Sequence, residues 1–198
     1  GDTPQEFFNV RQVSVPRSTY KDWRILSDHV RQVGDPYAAV AAETEELAEK
    51  AAEAVQVEWE LLPAYFSIEG AMAAEEDLIH DKVYLQDKEI PIQNNIACTR
   101  EVTEGDVEKG FAEAEVIVEN EFATPRVYHC QMEPRGCTCR PEPDGGITVW
   151  PSTQALHNTR ILLGRLFDIS LNKVNVIRIT GGGHFGCGIQ TNPVILIT

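Results

Sequence analysis

Residues 181–188 read Gly-Gly-Gly-His-Phe-Gly-Cys-Gly, with glycine at five of eight positions. Backbone this bare can approach a ligand closely and turn several N–H groups toward one oxygen-rich group, as anion-binding nests do. Its simpler reading is a flexible turn between two core segments. Three other residues have chemical capacity. Gln154 carries a neutral amide directly after Ser152-Thr153, where it also suits the first turn of a helix. Phe185 sets a flat apolar face inside the glycine run, although phenylalanines are mostly buried as core. Glu133, between Met132 and Pro134, invites a general-base role, but its neighbours favour a buried structural carboxylate satisfied by backbone N–H groups. His129 is expected to be a hydrogen-bonded core histidine.

The five cysteines (Cys98, Cys130, Cys137, Cys139 and Cys187) cannot all pair within the chain, and no Cys-x-x-Cys occurs. An odd count in a chain of this size predicts reduced, cytoplasmic thiols rather than a disulfide scaffold. Cys137 and Cys139, two apart on a proposed strand, share a face. With Cys130, Cys187, His129 and His184 they could be drawn as a zinc site, but the spacing matches no standard motif. Packing as small hydrophobes is favoured, and no metal ligands are assigned.

The elements that must position these groups are partly legible. A chain of 198 residues, 42% hydrophobic and 24% charged, can bury a core in one large or two small domains. A net charge of −14 argues against nucleic acid and against an acidic membrane surface as partners. No signal peptide or membrane-length apolar run is apparent. The apolar run Pro193-Val194-Ile195-Leu196-Ile197-Thr198 at the end of the sequence predicts a piece of a longer polypeptide. Short strands are expected over 29–33, 37–43 (buried on both faces) and 57–61. Between the last two lies a helix capped by Thr44, with Glu45 and Glu46 in its first turn and Leu47, Ala51 and Val55 along its stripe. A short helix is expected near 68–74, then a polar connection over 77–95 marking a domain boundary. Asp106 should cap a helix over 107–114, followed by a strand through Val116, Val118 and Phe122. Residues 137–140 and 147–150 form a hairpin around Pro143-Asp144-Gly145-Gly146. Ser152–Gln154 then offers caps for a helix carrying Leu156, Leu163, Leu166 and Phe167. Finally, a strand over 173–180 delivers the chain to the glycine loop.

Taken in order, His129-x-x-Met132-Glu133-Pro134, the hairpin, Ser152-Thr153-Gln154, the helix, the strand and the glycine loop resemble the molybdenum-binding subunit of the xanthine dehydrogenase and aldehyde oxidoreductase family. Upstream, Val33-Gly34-Asp35-Pro36, the segment 38–44 and Val57–Pro63 resemble that family's hammerhead domain. The resemblance implies an α+β fold. Residues 1–85 would form a hammerhead-like domain incomplete at its N-terminus. Residues 86–198 would form the first part of a molybdopterin-binding domain with a mixed sheet, incomplete at its C-terminus. It implies a hydroxylase that uses water to oxidise a heterocycle or aldehyde carbon, with molybdopterin, or its dinucleotide form, as cofactor. Partners would be the rest of the large subunit and iron–sulfur and FAD domains or subunits, with a small-molecule substrate. By the same resemblance Gln154 would hydrogen-bond an oxygen ligand of molybdenum, and Phe185 would lie against the substrate ring. The Gly186 N–H would support an apical oxygen, and Gly182 and Gly183 would line the cofactor.

Two departures stand out. The family's loop usually reads Gly-Gly-Gly-Phe-Gly-Gly, often followed by lysine; here His184 precedes Phe185, and Cys187 and Gly188 follow Gly186. The family's Gly-x-Gly-Glu segment, which carries its catalytic base, has no counterpart in these 198 residues. The isolated chain is therefore expected to be inactive, and the competing reading is a non-catalytic interaction or structural protein that retains the fold.

Overall fold

The computed structural model describes residues 3–8, 20–21, 23–85, 88–96, 99, 101–189 and 193–197. Its strands form two three-stranded sheets. The first joins β1 (Tyr20–Lys21), β2 (Lys82–Leu85) and β3 (Lys88–Pro91), antiparallel throughout. It occupies the stretch expected to be a polar connection. Its strands are short and charged, and the Lys82–Glu89 ion pair at 3.1 Å spans β2 and β3, so no run of alternating apolar residues marked them.

The second sheet carries the site. In it β4 (Cys137–Pro141) and β5 (Ile147–Pro151) form the expected hairpin, and β5 pairs in parallel with β6 (Val174–Val176). At the turn the Glu142 N–H donates to the Gly146 carbonyl (2.8 Å), the Asp144 carboxylate accepts the Gly146 N–H (3.0 Å), and Gly145 takes φ +78°, which glycine tolerates. A parallel neighbour requires a crossover, and α4 (Leu156–Leu166) supplies it. The sheet is therefore mixed, as expected. Strand β6 is shorter than the sequence suggested: Ile177 still donates its N–H to the Val149 carbonyl (2.9 Å), and then the chain leaves the ladder.

Leu162, Leu163 and Leu166 of α4 pack on Val149 and Val174, with Leu196 of α5 (Pro193–Ile197) closing one side. Phe8 and Ile25 complete this core; Phe8 and Trp23 exchange both backbone hydrogen bonds, which anchors the N-terminal segment. Each such buried side chain contributes roughly 1.5–3 kcal/mol from apolar burial. Cys137 and Cys139 lie on one face of β4 against the same core, as expected. Burial, reinforced by the neighbouring Cys139, pushes the Cys137 thiol up to about 11, so it packs as an uncharged group.

The three N-terminal helices begin where their caps predict. Thr44 accepts the Leu47 N–H (3.3 Å) at the start of α1 (Glu45–Glu53). Ser67 caps α2 (Ile68–Met72), and Asp106 caps α3 (Val107–Glu113) by accepting the Lys109 N–H at 3.0 Å. None of the three buries a residue. The expected strand at 29–33 is instead a turn, because the Asp35 carboxylate accepts the N–H groups of Arg31 and Gln32. Segments 37–43, 57–61 and 116–122 run outside the sheets, since no described segment supplies the neighbour a ladder needs. Residues 37–43 are accordingly mostly exposed rather than buried on both faces. Among the described residues no helix is long and apolar enough to cross a membrane.

The contrast between α4 and α1 is measurable. Leu162 is 2% exposed and Leu47 51%. Leu162→Ala is expected to lower unfolding stability by about 2–4 kcal/mol, and Leu47→Ala to change it by about 0.5 kcal/mol or less. Denaturant titration of the three proteins reads both values.

Candidate cofactor site

Three segments converge at the carboxyl end of the second sheet: 131–135 before β4, 152–154 between β5 and α4, and 178–188 after β6. The link from β5 to α4 is fixed by Thr153, whose hydroxyl accepts the Ala155 N–H (3.0 Å) and donates to the Gly188 carbonyl (3.0 Å). The cap expected from Ser152–Gln154 is not made: the N-cap residue of α4 is Ala155, without a side-chain cap bond, and Thr153 instead closes a turn just before it. Gln154 donates its backbone N–H to the same Gly188 carbonyl (2.9 Å), which fastens the end of the glycine loop beside α4.

The other end of the loop is held by Glu133. Its Oε2 accepts the Gly182 N–H at 2.7 Å, so the carboxylate is structural and bonded to backbone, as expected. That bond, then a bond from Ser152, and the nearby Arg135 guanidinium hold the Glu133 carboxyl below its ordinary range. Arg135 links three groups: its guanidinium reaches the Ser152 hydroxyl (3.3 Å), His184 Nδ1 and Cys187 Sγ, while His184 Nε2 lies 3.7 Å from Glu133 Oε2.

Between these segments lies a pocket of about 460 Å³, lined by Glu133, Ser152, Thr153, Gln154, Leu156, Arg178, Ile179, Gly181, Gly183 and His184. Two of the sequence candidates, Gln154 and Gly183, line it. Gly182 is engaged by Glu133. Gly186 adopts φ +94° with open space where a Cβ would stand. Phe185 sits outside the pocket wall, 74% exposed at φ +45°, its ring edge-on to His129 at 6.2 Å. His129 is exposed, its ring tilted against Tyr128 and edge-on to Phe185; among the described residues no core encloses the 127–132 segment, so the expected core histidine is corrected. Arg135 and Arg178 escaped the sequence reading. The signal for Arg135 was its place two residues after Glu133; Arg178, one cation in a Val/Ile-rich strand, offered none.

The lining suits an oxygen- and nitrogen-rich ligand bearing negative charge. Arg178 offers a cation, Gln154 and the hydroxyls offer neutral donors, and the one carboxylate is already bonded to backbone and faced by Arg135 and His184. Among the described residues Gln131 Oε1 is buried without a partner, and the Gln131 Cβ lies 3.9 Å from the Cβ position of Gly183. A mixed sheet, a crossover helix and a glycine-walled polar pocket at the strand ends define a cofactor-binding protein.

Residues 89–198 match the molybdopterin cofactor-binding domain, and residues 2–63 match the aldehyde oxidase and xanthine dehydrogenase a/b hammerhead domain. The chain belongs to the xanthine dehydrogenase and aldehyde oxidoreductase family and corresponds to a part of its molybdenum-binding subunit; its cofactor is molybdopterin. It is 38% identical to a probable xanthine dehydrogenase subunit of Bacillus subtilis, over 82% of this chain and 20% of that protein. It is 34% identical to the xanthine dehydrogenase molybdenum-binding subunit of Escherichia coli O157:H7, over 83% of this chain and 20% of that one. The chain thus spans about one fifth of the length of these relatives. The fold is also that of the aldehyde oxidoreductase from Desulfovibrio gigas, with TM-score 0.74 and 24% identity over 98% of this chain and 21% of that chain.

The Glu133 anchor titrates in a defined direction. Its folded-state value lies below the ordinary 4.5, so the ionised form stabilises the fold fully above about pH 4.5 and loses that contribution as pH falls through the lower value. Glu133→Gln should therefore be less stable than the parent by a constant margin at neutral pH, and the margin should close in acid. Thermal unfolding of both proteins from pH 7 to pH 3 checks this.

Proposed function

We propose that the chain contributes the cofactor-facing part of a molybdenum hydroxylase that oxidises a carbon of an aromatic heterocycle or an aldehyde, with water as the oxygen source. The observation that carries this reading is the convergence of the Gln154 segment and the glycine loop on one polar pocket in a chain of this family. When bound, molybdopterin supplies the two-electron redox chemistry; the protein supplies placement and electrostatics.

Each residue then has a defined task. Gln154 presents a neutral donor to an oxygen of the group without adding charge. Gly183 and Gly186 let main chain come close to the cofactor, Gly182 holds the loop in place against Glu133, and Arg178 offsets the cofactor's negative charge. Phe185, exposed at the loop, is the flat apolar face we assign to the substrate ring. Residues 1–85 and 86–198 are the two domains of this reading, in keeping with the two family matches and joined through Phe8 and Ile25. Iron–sulfur and FAD domains or subunits would accept the electrons, and the remainder of a large subunit would bring the catalytic glutamate. The 198 residues alone are therefore expected to be inactive. The described cysteines are all free thiols, in keeping with a cytoplasmic setting.

The test is hydroxylation of heterocycles and aldehydes by the chain produced together with the glutamate-bearing remainder of the large subunit and loaded with cofactor, with an artificial electron acceptor and ¹⁸O-labelled water. Label in the product is expected. Gln154→Ala should lower kcat by about 10–100-fold, the usual effect of removing an outer-sphere partner. Phe185→Ala should act mainly on KM. Pterin-loaded protein with no hydroxylation of either substrate class would favour the non-catalytic reading.

A further inference from the structure

The glycine loop is built around a side chain that its family's usual loop does not carry. His184 is only 13% exposed and lies in a notch between two glycines. A Cβ on Gly181 would stand 2.8 Å from its Nε2, and one on Gly188 would meet its Nδ1 more closely still. The imidazole, the two bare positions and the Glu133–Arg135 segment therefore form one packed unit.

The protonation state of that unit follows from its partners. An arginine guanidinium only donates, so Nδ1, 2.5 Å from Arg135, must be the acceptor. The single ring proton then sits on Nε2 and faces Glu133 Oε2 at 3.7 Å. The imidazole is neutral in this arrangement and bridges a cation to an anion. A second proton at Nδ1 would set donor against donor and cation against cation. Attraction to Glu133 would rise, but at 3.7 Å it is weaker than repulsion at 2.5 Å. Arg135 would be displaced, and its contact with Cys187 would go with it. The charged and titratable groups facing His184 are Glu133, Arg135 and Cys187, with Arg178 on the same pocket wall.

We propose that His184 is a positioning residue for the cofactor pocket: as a neutral bridge between Arg135 and Glu133 it latches the glycine loop in place, and protonation releases the loop. The consequence for cofactor binding rests on the function proposed above; the latch itself does not.

Hydrogen exchange of the 181–188 segment between pH 8 and pH 5.5 tests the latch. The guanidinium of Arg135 stays cationic and Glu133 anionic throughout this interval. Protection of the Gly182 and Cys187 amides, corrected for intrinsic exchange, should fall about ten-fold or more, the effect of losing a hydrogen bond to a charged group. His184→Gln keeps a neutral donor and acceptor but cannot be protonated, and should stay protected across the range. His184→Ala should be unprotected at both ends. A ten-fold fall that persists in His184→Gln, or full protection in His184→Ala, overturns the latch. Pterin retained after gel filtration at both pH values is the second readout. Loss of pterin that tracks loop opening supports the pocket assignment. Loop opening with pterin unchanged leaves the latch standing and overturns the assignment of this loop to the cofactor.

Discussion

The site depends on one hydrogen bond between distant parts of the chain, from the Gly182 N–H to the Glu133 carboxylate. Without it, a run of glycines after a three-residue strand has no reason to adopt one shape, because each glycine adds backbone freedom and no packing. The bond ties the loop to a segment 49 residues earlier, while the Gly188 carbonyl ties the other end to Thr153 and Gln154. The loop is thus fastened at both ends to segments on opposite sides of the hairpin β4–β5. Pocket and hairpin share one framework, so distortion of either reaches the other.

Glycine is required here by close contact as much as by backbone angle. At Gly182 a Cβ would stand 2.9 Å from the Glu133 Cβ, and at Gly181 it would strike the His184 ring. These side chains occupy the room that glycine leaves, so charged groups come close to main-chain N–H donors. Gly183 and Gly186 carry the positive φ angles that turn the chain around them, and Phe185, also at positive φ, is turned outward. A loop that looks loose in composition is therefore held by a carboxylate, an imidazole and a guanidinium.

Much of this was legible where cause is local. Thr44 and Asp106 marked helix starts because a side-chain oxygen two or three residues from an N–H suffices. The Asp144-Gly145 turn and the paired faces of Cys137 and Cys139 followed from dihedral preference and strand alternation. Gln154 and Gly183 could be placed at one site because the order of motifs carried information that no single residue did. Illegible were features that need a distant partner. Val57–Leu61 alternates as a strand should, yet a ladder requires a second strand, and none of the described residues provides one. The Arg135–His184–Cys187 linkage spans 49 and 52 residues and has no local signature at all.

That division also explains how order is distributed. The core draws on β5, β6, α4 and α5, with Phe8 and Ile25 folded back onto them. By contrast Leu61, Phe66, Val118 and Phe122 lie exposed on segments outside both sheets. Burial concentrated around α4 gives the second sheet high local stability, and the pocket sits where that sheet ends. The loop adds few apolar contacts of its own, so its conformation rests on polar bonds that solvent can compete for. A rigid floor with a polar, chemically addressable rim lets a single proton near Glu133 and Arg135 change the rim without unfolding the floor, because the groups that titrate are not the groups that hold the core together.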